Sequence, residues 1–124
     1  MKALLAILLT LVLGVGYGKG LPKEDVIGKY ESDGPKAMVD AGEQFFEYRM
    51  DLLNDGTFVH YLDDEKSWEG RWVIKGNEIH QTSGNMVAIY RVNPDKSLTN
   101  AESKLGEMLI KIPKHQQYTW EKIK

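Results

Sequence analysis

The 124 residues suffice for one modest domain, and a formal charge of −2 leaves no bulk positive field to draw nucleic acid or anionic lipid. The chain has no cysteine, which removes disulfides, thiolate metal sites and a lipid-modified cysteine at the end of an export signal. A small exported domain without crosslinks must rest on its apolar core.

In chain order, the first element is residues 1–18. Lys2 stands at the front, no acid follows within the first twenty residues, and Ala3 to Leu13 are apolar apart from Thr10. That is the charged start and apolar centre of a cleavable secretory signal. The run is shorter than the roughly 20 apolar residues that a bilayer core takes, so a cleaved signal is favoured over an uncleaved anchor. Gly16 and Gly18 suit cleavage before Lys19, and Gly18 with Gly20 suits cleavage before Leu21. Residues 19–124 are then the folded domain, expected in a bacterial periplasm or secreted, monomeric, and with no membrane insertion once the signal is gone.

Val26 to Glu31 suggests a short first strand, and Pro35 to Ala41 one or two helical turns. Beyond them the chain carries turn signals at short intervals, Asn54-Asp55-Gly56, Asp63-Asp64, Gly76-Asn77, Ser83-Gly84-Asn85 and Asn93-Pro94-Asp95, with runs rich in aromatic and β-branched residues between. This is the pattern of an all-β antiparallel meander. A three-residue loop with Gly56 left-handed sets Leu52 opposite Phe58. Phe46, Tyr48, Met50, Leu52, Phe58, His60 and Leu62 then share the inward face, and Glu47, Arg49 and Asp51 the outward one. A two-residue turn at Gly76-Asn77 sets Ile74 opposite Ile79, which turns Trp68, Gly70, Trp72 and Gln81 inward and Arg71, Lys75, Glu78 and His80 outward. Met86 to Val92 alternates as a further strand, a less regular one begins at Leu98, and Met108 to Ile112 and Tyr118 to Ile123 complete about eight. So many short strands remove their edges by closing, so a closed or half-open barrel is expected.

The opening strand Ile27-Gly28-Lys29-Tyr30-Glu31, the hairpin Leu53-Asn54-Asp55-Gly56-Thr57-Phe58, the G-x-W strand and turn Gly70 to Ile79, and the ending Tyr118-Thr119-Trp120-Glu121-Lys122 together resemble the lipocalin-like, or calycin-type, domains of small bacterial envelope proteins. The resemblance implies a lipocalin-like barrel and a role in binding a small molecule or a partner.

Tyr48, Met50, Phe58, His60, Trp72, Gln81 and Tyr90 are the candidate interior binding residues, with Trp68 and Trp120 adding to the aromatic lining. Such rings suit an apolar or ring-shaped ligand, or they simply fill the interior. His60 is the central polar group: a core histidine held by a neighbour, a ligand contact, or, with Met50 and Met86, a ligand for a soft metal ion. Gln81 needs partners if buried. Asp63-Asp64-Glu65 reads as a solvated hairpin tip, without the alternating ligands of a calcium loop. No metal site or cofactor is expected. No catalytic spacing is present, neither G-x-S-x-G nor H-E-x-x-H nor a phosphate-cradling glycine loop, so no enzyme is expected. The expected function is binding of a small apolar ligand in the interior; the alternative is a module that holds an envelope protein through a barrel edge or its loops.

Overall fold

Each turn signal in the second half of the chain becomes a hairpin, and the hairpins follow one another around a single sheet. The structure, a computed structural model, describes residues 21–43 and 46–123; the expected export signal lies outside them. A helical turn α1 (Lys23–Val26) leads into β1 (Gly28–Pro35), and a second short helix α2 (Lys36–Asp40) follows. The meander then runs β2 (Tyr48–Leu52), β3 (Thr57–Leu62), β4 (Glu65–Lys75), β5 (Glu78–Ser83), β6 (Met86–Val92), β7 (Leu98–Leu105) and β8 (Met108–Lys111). A 3-10 turn at Lys114–Gln116 leads to the last strand, β9 (Tyr118–Lys122).

Neighbours in sequence pair antiparallel from β1 through β8, and β9 closes the ring. Trp120 stands opposite Ser32 of β1 on one side and Leu98 of β7 on the other. The result is a closed eight-stranded antiparallel barrel made of β1 to β7 and β9. β8 stands outside the ring, and among the described residues it pairs only with the far half of β7, Glu102 to Leu105.

The registers follow from the turn chemistry. Gly56 has φ +87, a left-handed value that glycine adopts without steric cost, and Leu52 faces Phe58 as that loop requires. Ile74 faces Ile79 across the Gly76-Asn77 turn. The inward side chains Tyr30, Met50, Leu52, Phe58, Ile79, Gln81 and Leu98 are wholly buried, so most of the interior is packed solid. Fully burying a side chain of this size stabilises by roughly 1.5–3 kcal/mol.

The chain differs from expectation at its start. The first strand begins at Gly28, because Lys23–Val26 turns helical and lies across one end of the barrel. Tyr30 donates its hydroxyl proton to the Val26 carbonyl at 2.6 Å, and burial pushes that phenol's pKa up to about 12, so the donor stays protonated. Val26 packs into the core, Lys96 pairs with Asp25 at 3.3 Å, and Lys122 donates to the Asp25 carbonyl. Phe46, expected on the inward face, precedes β2 and is 43% exposed. Asp51, expected on the outward face, is outward by alternation yet buried, with Lys29 at 3.4 Å. Among the described residues no helix is long and apolar enough to cross a membrane.

Candidate functional site

The barrel has unlike ends. The end that holds the β2–β3 and β4–β5 turns is stopped by α1 and by Trp72, whose indole donates to the Leu53 carbonyl at 3.0 Å. The opposite end, where β2 begins and β3 finishes, is open, with a cleft of about 300 Å³ between strands. Tyr48, His60, Tyr90, Tyr118 and Trp120 form its walls, and Asn100, Ser67, Tyr61 and Leu62 complete the lining. Among the described residues no lysine, arginine, aspartate or glutamate lines it.

His60 reaches this wall from mid-barrel, where the Met50–His60–Trp68 row crosses three strands. Its Nε2 lies 2.7 Å from the Gln81 side-chain oxygen, and the Gln81 amide nitrogen donates to the Met50 sulfur at 2.8 Å. With the amide oxygen toward the imidazole, Nε2 carries the proton and donates it. The Tyr90 hydroxyl is 3.4 Å from the same nitrogen, a weaker approach. Four rings box the imidazole in, with centroids at 5.6 Å (Phe58), 5.5 Å (Trp68), 6.4 Å (Tyr90) and 5.4 Å (Trp120).

Burial in this apolar box holds the His60 pKa below the ordinary histidine value, and the Gln81 hydrogen bond opposes the shift without cancelling it. The folded protein thus keeps His60 neutral where the unfolded chain takes up a proton. Stability should fall as pH drops through about 6.5 and level off only below the depressed folded pKa, with a limiting slope of about 1.4 kcal/mol per pH unit. Urea unfolding between about pH 8 and pH 5 reads this, and His60→Phe should flatten the profile over that window. A wild-type profile already flat there would mean that the imidazole charges freely in the fold.

The cleft's other wall comes from β9 and β7. Tyr118 meets Tyr48 edge to face at 5.0 Å and stacks beside Trp120 at 6.0 Å. Asn100 accepts the Tyr118 backbone N–H and fixes where β9 starts. Burial, then the neighbouring Tyr48, pushes the Tyr118 phenol up to about 12; burial and the nearby Tyr118 likewise raise Tyr90. Both hydroxyls stay protonated at any physiological pH. Trp120 is 4% exposed, and among the described residues its Nε1 has no hydrogen-bond partner although it is cut off from solvent.

Of the seven residues singled out in the sequence, the structure brings Tyr48, His60 and Tyr90 to the cleft. Met50, Phe58 and Gln81 form the packed floor beneath it. Trp72 sits at the closed end, with Lys23 over its ring at 5.8 Å. Met50 is engaged by Gln81, while Met86 is exposed on the β5–β6 hairpin, so the soft-metal grouping with His60 is not assembled. Tyr118, Asn100 and Ser67 were not anticipated. The two-residue spacing of Tyr118 and Trp120 marks them as sharing a face. Ser67 reaches the rim through a register shift between β3 and β4, which alternation does not predict, whereas Asn100 lies two residues beyond the inward Leu98 in unbroken register, so alternation from Leu98 places it on the inward face. No protein-family model matches this chain, and no curated protein or solved structure shows significant similarity to it.

Proposed function

We propose that this protein is an exported lipocalin-like carrier that takes a small uncharged ligand into the open end of its barrel. The observation that carries the reading is the combination at that end: an aromatic cleft whose Trp120 ring holds a buried donor with no acceptor. An unpaired buried N–H costs about 1–3 kcal/mol. A ligand acceptor that reaches it recovers that cost, which makes the site selective for ligands that carry one.

The chemistry of the lining narrows the class further. About 300 Å³ is at the small end of ligand sites and admits a one- or two-ring compound. A charged group would find no counter-ion among the lining residues and would lose its hydration. Tyr90, Tyr118 and Trp120 are all neutral donors, so a flat apolar body with a carbonyl or ether oxygen fits best.

Two neutral probes of near-identical shape test this: 2-acetylnaphthalene and 2-ethylnaphthalene, each titrated against tryptophan fluorescence. The ketone should bind roughly tenfold more tightly than the hydrocarbon. Trp120→Phe keeps a ring in the wall and removes the donor. It should erase the preference for the ketone while leaving the unliganded fold as stable or slightly more so, because an unsatisfied N–H is gone. Native mass spectrometry of protein recovered from the producing cell should show a co-purifying neutral small molecule. No probe binding together with no co-purifying mass would overturn the reading. A partner held by strand addition is favoured by a separate feature, the open edge of β8.

A further inference from the structure

We infer that β8 is the contact strand of a homodimer, in which two copies of the chain pair antiparallel, β8 against β8, about a two-fold axis through Leu109. Among the described residues no strand covers the outer edge of β8. The strand is nevertheless apolar on both faces, with Met108 63%, Leu109 50% and Ile110 43% exposed, and Leu105 and Met86 exposed across the hairpin beside it. An open edge of this composition templates further strand pairing unless something occupies it. Folds usually blunt such an edge with proline or inward charge. Here Pro113 comes only after the strand ends and both charges lie at its margins, Glu107 in the turn and Lys111 at the last position.

The backbone selects the register. Ile112 donates its N–H to the Ala101 carbonyl, and Lys111 stands opposite Glu102. In an antiparallel ladder this makes Lys111–Glu102 a non-hydrogen-bonded pair, so Met108 and Ile110 exchange their bonds with β7. The amides of Leu109 and Lys111, with Glu107 leading in, therefore point to the open edge. A second β8 can pair there only where outward residues meet outward residues. Centred on Leu109, the arrangement sets Leu109 against the second copy's Leu109 and Met108 against its Ile110. Glu107 then stands against the second copy's Lys111, and Lys111 against its Glu107. The segment Glu107-Met108-Leu109-Ile110-Lys111 is thus self-complementary in charge and in apolar character under a two-fold operator, as an isologous contact requires. Shifting the centre by one residue to Ile110 brings Pro113 opposite Glu107, where proline has no N–H to give. A foreign strand would not need this palindrome of charge.

The inward-type face of the hairpin strengthens the case. Met86, Leu105 and Met108 form one cross-strand row, and Ile110 follows Met108 on the same face. Pairing two hairpins places the two apolar faces side by side in one continuous sheet. The contact is small, so the dimer should be concentration-dependent and not obligate.

Sedimentation velocity over a wide concentration range, on protein as the producing cell yields it, tests the inference. The wild type should shift from monomer to dimer with rising concentration. Leu109→Pro removes an outward N–H and the Leu109 side chain at the centre of the contact, leaves the β7 ladder intact and should hold the chain monomeric. Glu107→Lys alone sets lysine against lysine twice and should weaken association roughly tenfold; Glu107→Lys with Lys111→Glu restores both pairs and should recover it. The charge variants keep the test alive if the proline variant fails to fold, and near-ultraviolet circular dichroism separates those cases. A chain that stays monomeric at every concentration, a dimer indifferent to Leu109→Pro in a folded chain, or a charge swap that restores nothing would overturn the inference.

Discussion

Replacing Gly70 with alanine should lower the stability of the fold by about 3 kcal/mol, seen as a large drop in the urea midpoint with an unchanged slope. Gly70 lies on β4 directly opposite Phe58, on the inward side. A Cβ there would overlap the Thr82 carbonyl oxygen of β5 and come within 3.0 Å of the Phe58 ring edge and 3.1 Å of the Thr82 carbonyl carbon. Two of these three atoms are backbone in a paired strand, so they cannot rotate away. Phe58 is completely buried against Trp68, at 4.8 Å between ring centres, and against His60, so its ring has little room to yield either. Relief would require β4 and β5 to separate at mid-barrel, where β5 holds Gln81. The near-ultraviolet spectrum should change with the midpoint, because Trp68 and Phe58 move together. A shift of under about 1 kcal/mol would mean that the strands splay at little cost, and that the glycine serves some other purpose.

Gly70 also shows why part of this fold is readable from the chain and part is not. The G-x-W pattern at Gly70 and Trp72 marks one face of a strand, and alternation together with the turns at Gly56 and Gly76-Asn77 is enough to place Leu52 against Phe58 and Ile74 against Ile79. Those registers are local: each depends on a loop a few residues away. What closes the barrel is not local. Trp120 pairs with Ser32 and Leu98, far apart in sequence, and nothing in the spacing of either partner announces it. The same limit applies to the candidate site. His60 and Gln81 were visible as inward polar residues because both sit in hairpins of certain register. Ser67 reaches the cleft through a register shift, which offsets alternation by one residue without a sequence mark, while Asn100 shares the inward face of Leu98 on a strand whose irregular sequence hides that alternation. Trp72 shares the inward face with the cleft residues, but its distance along the barrel axis follows from the tilt of closed strands, a property of the whole ring. Val26, expected as the first residue of the opening strand, instead ends the helical turn Lys23–Val26, because its side chain suits either state and the barrel end that it covers makes the choice.

The division into a closed and an open end gives the interior two separate tasks. At the closed end, every polar group named is met by backbone: Tyr30 by the Val26 carbonyl and Trp72 by the Leu53 carbonyl. Toward the open end the polar groups meet side chains instead, in the chain Met50–Gln81–His60–Tyr90, and the Trp120 Nε1 has no hydrogen-bond partner among the described residues. Side-chain partners can be displaced without unzipping a strand, so polar rearrangement inside the barrel is easiest toward this end, while Phe58 and Leu52 beneath it have no polar partner to exchange.

Gln81 is the joint between those two regions, and truncating it should be nearly as damaging as the change at Gly70. It is wholly buried, and its two polar atoms are taken by His60 and Met50. Gln81→Ala leaves the neutral His60 N–H with only the distant Tyr90 oxygen and opens a void above Met50. The unsatisfied donor costs about 1–3 kcal/mol and the void adds to it, so a loss of about 3 kcal/mol is expected. Gln81→Leu fills nearly the same volume and removes only the polar partner, so it should lose about 1–2 kcal/mol. The difference between the two variants isolates the packing contribution. Loss of Gln81 also removes the one interaction that raises the His60 pKa, so in Gln81→Leu the imidazole should resist protonation still more. The acid-dependent loss of stability below about pH 6.5 should then extend to lower pH before it levels off. Equal stability of Gln81→Leu and wild type, with an unchanged pH profile, would mean that His60 finds another acceptor, with the Tyr90 hydroxyl moving in to supply it.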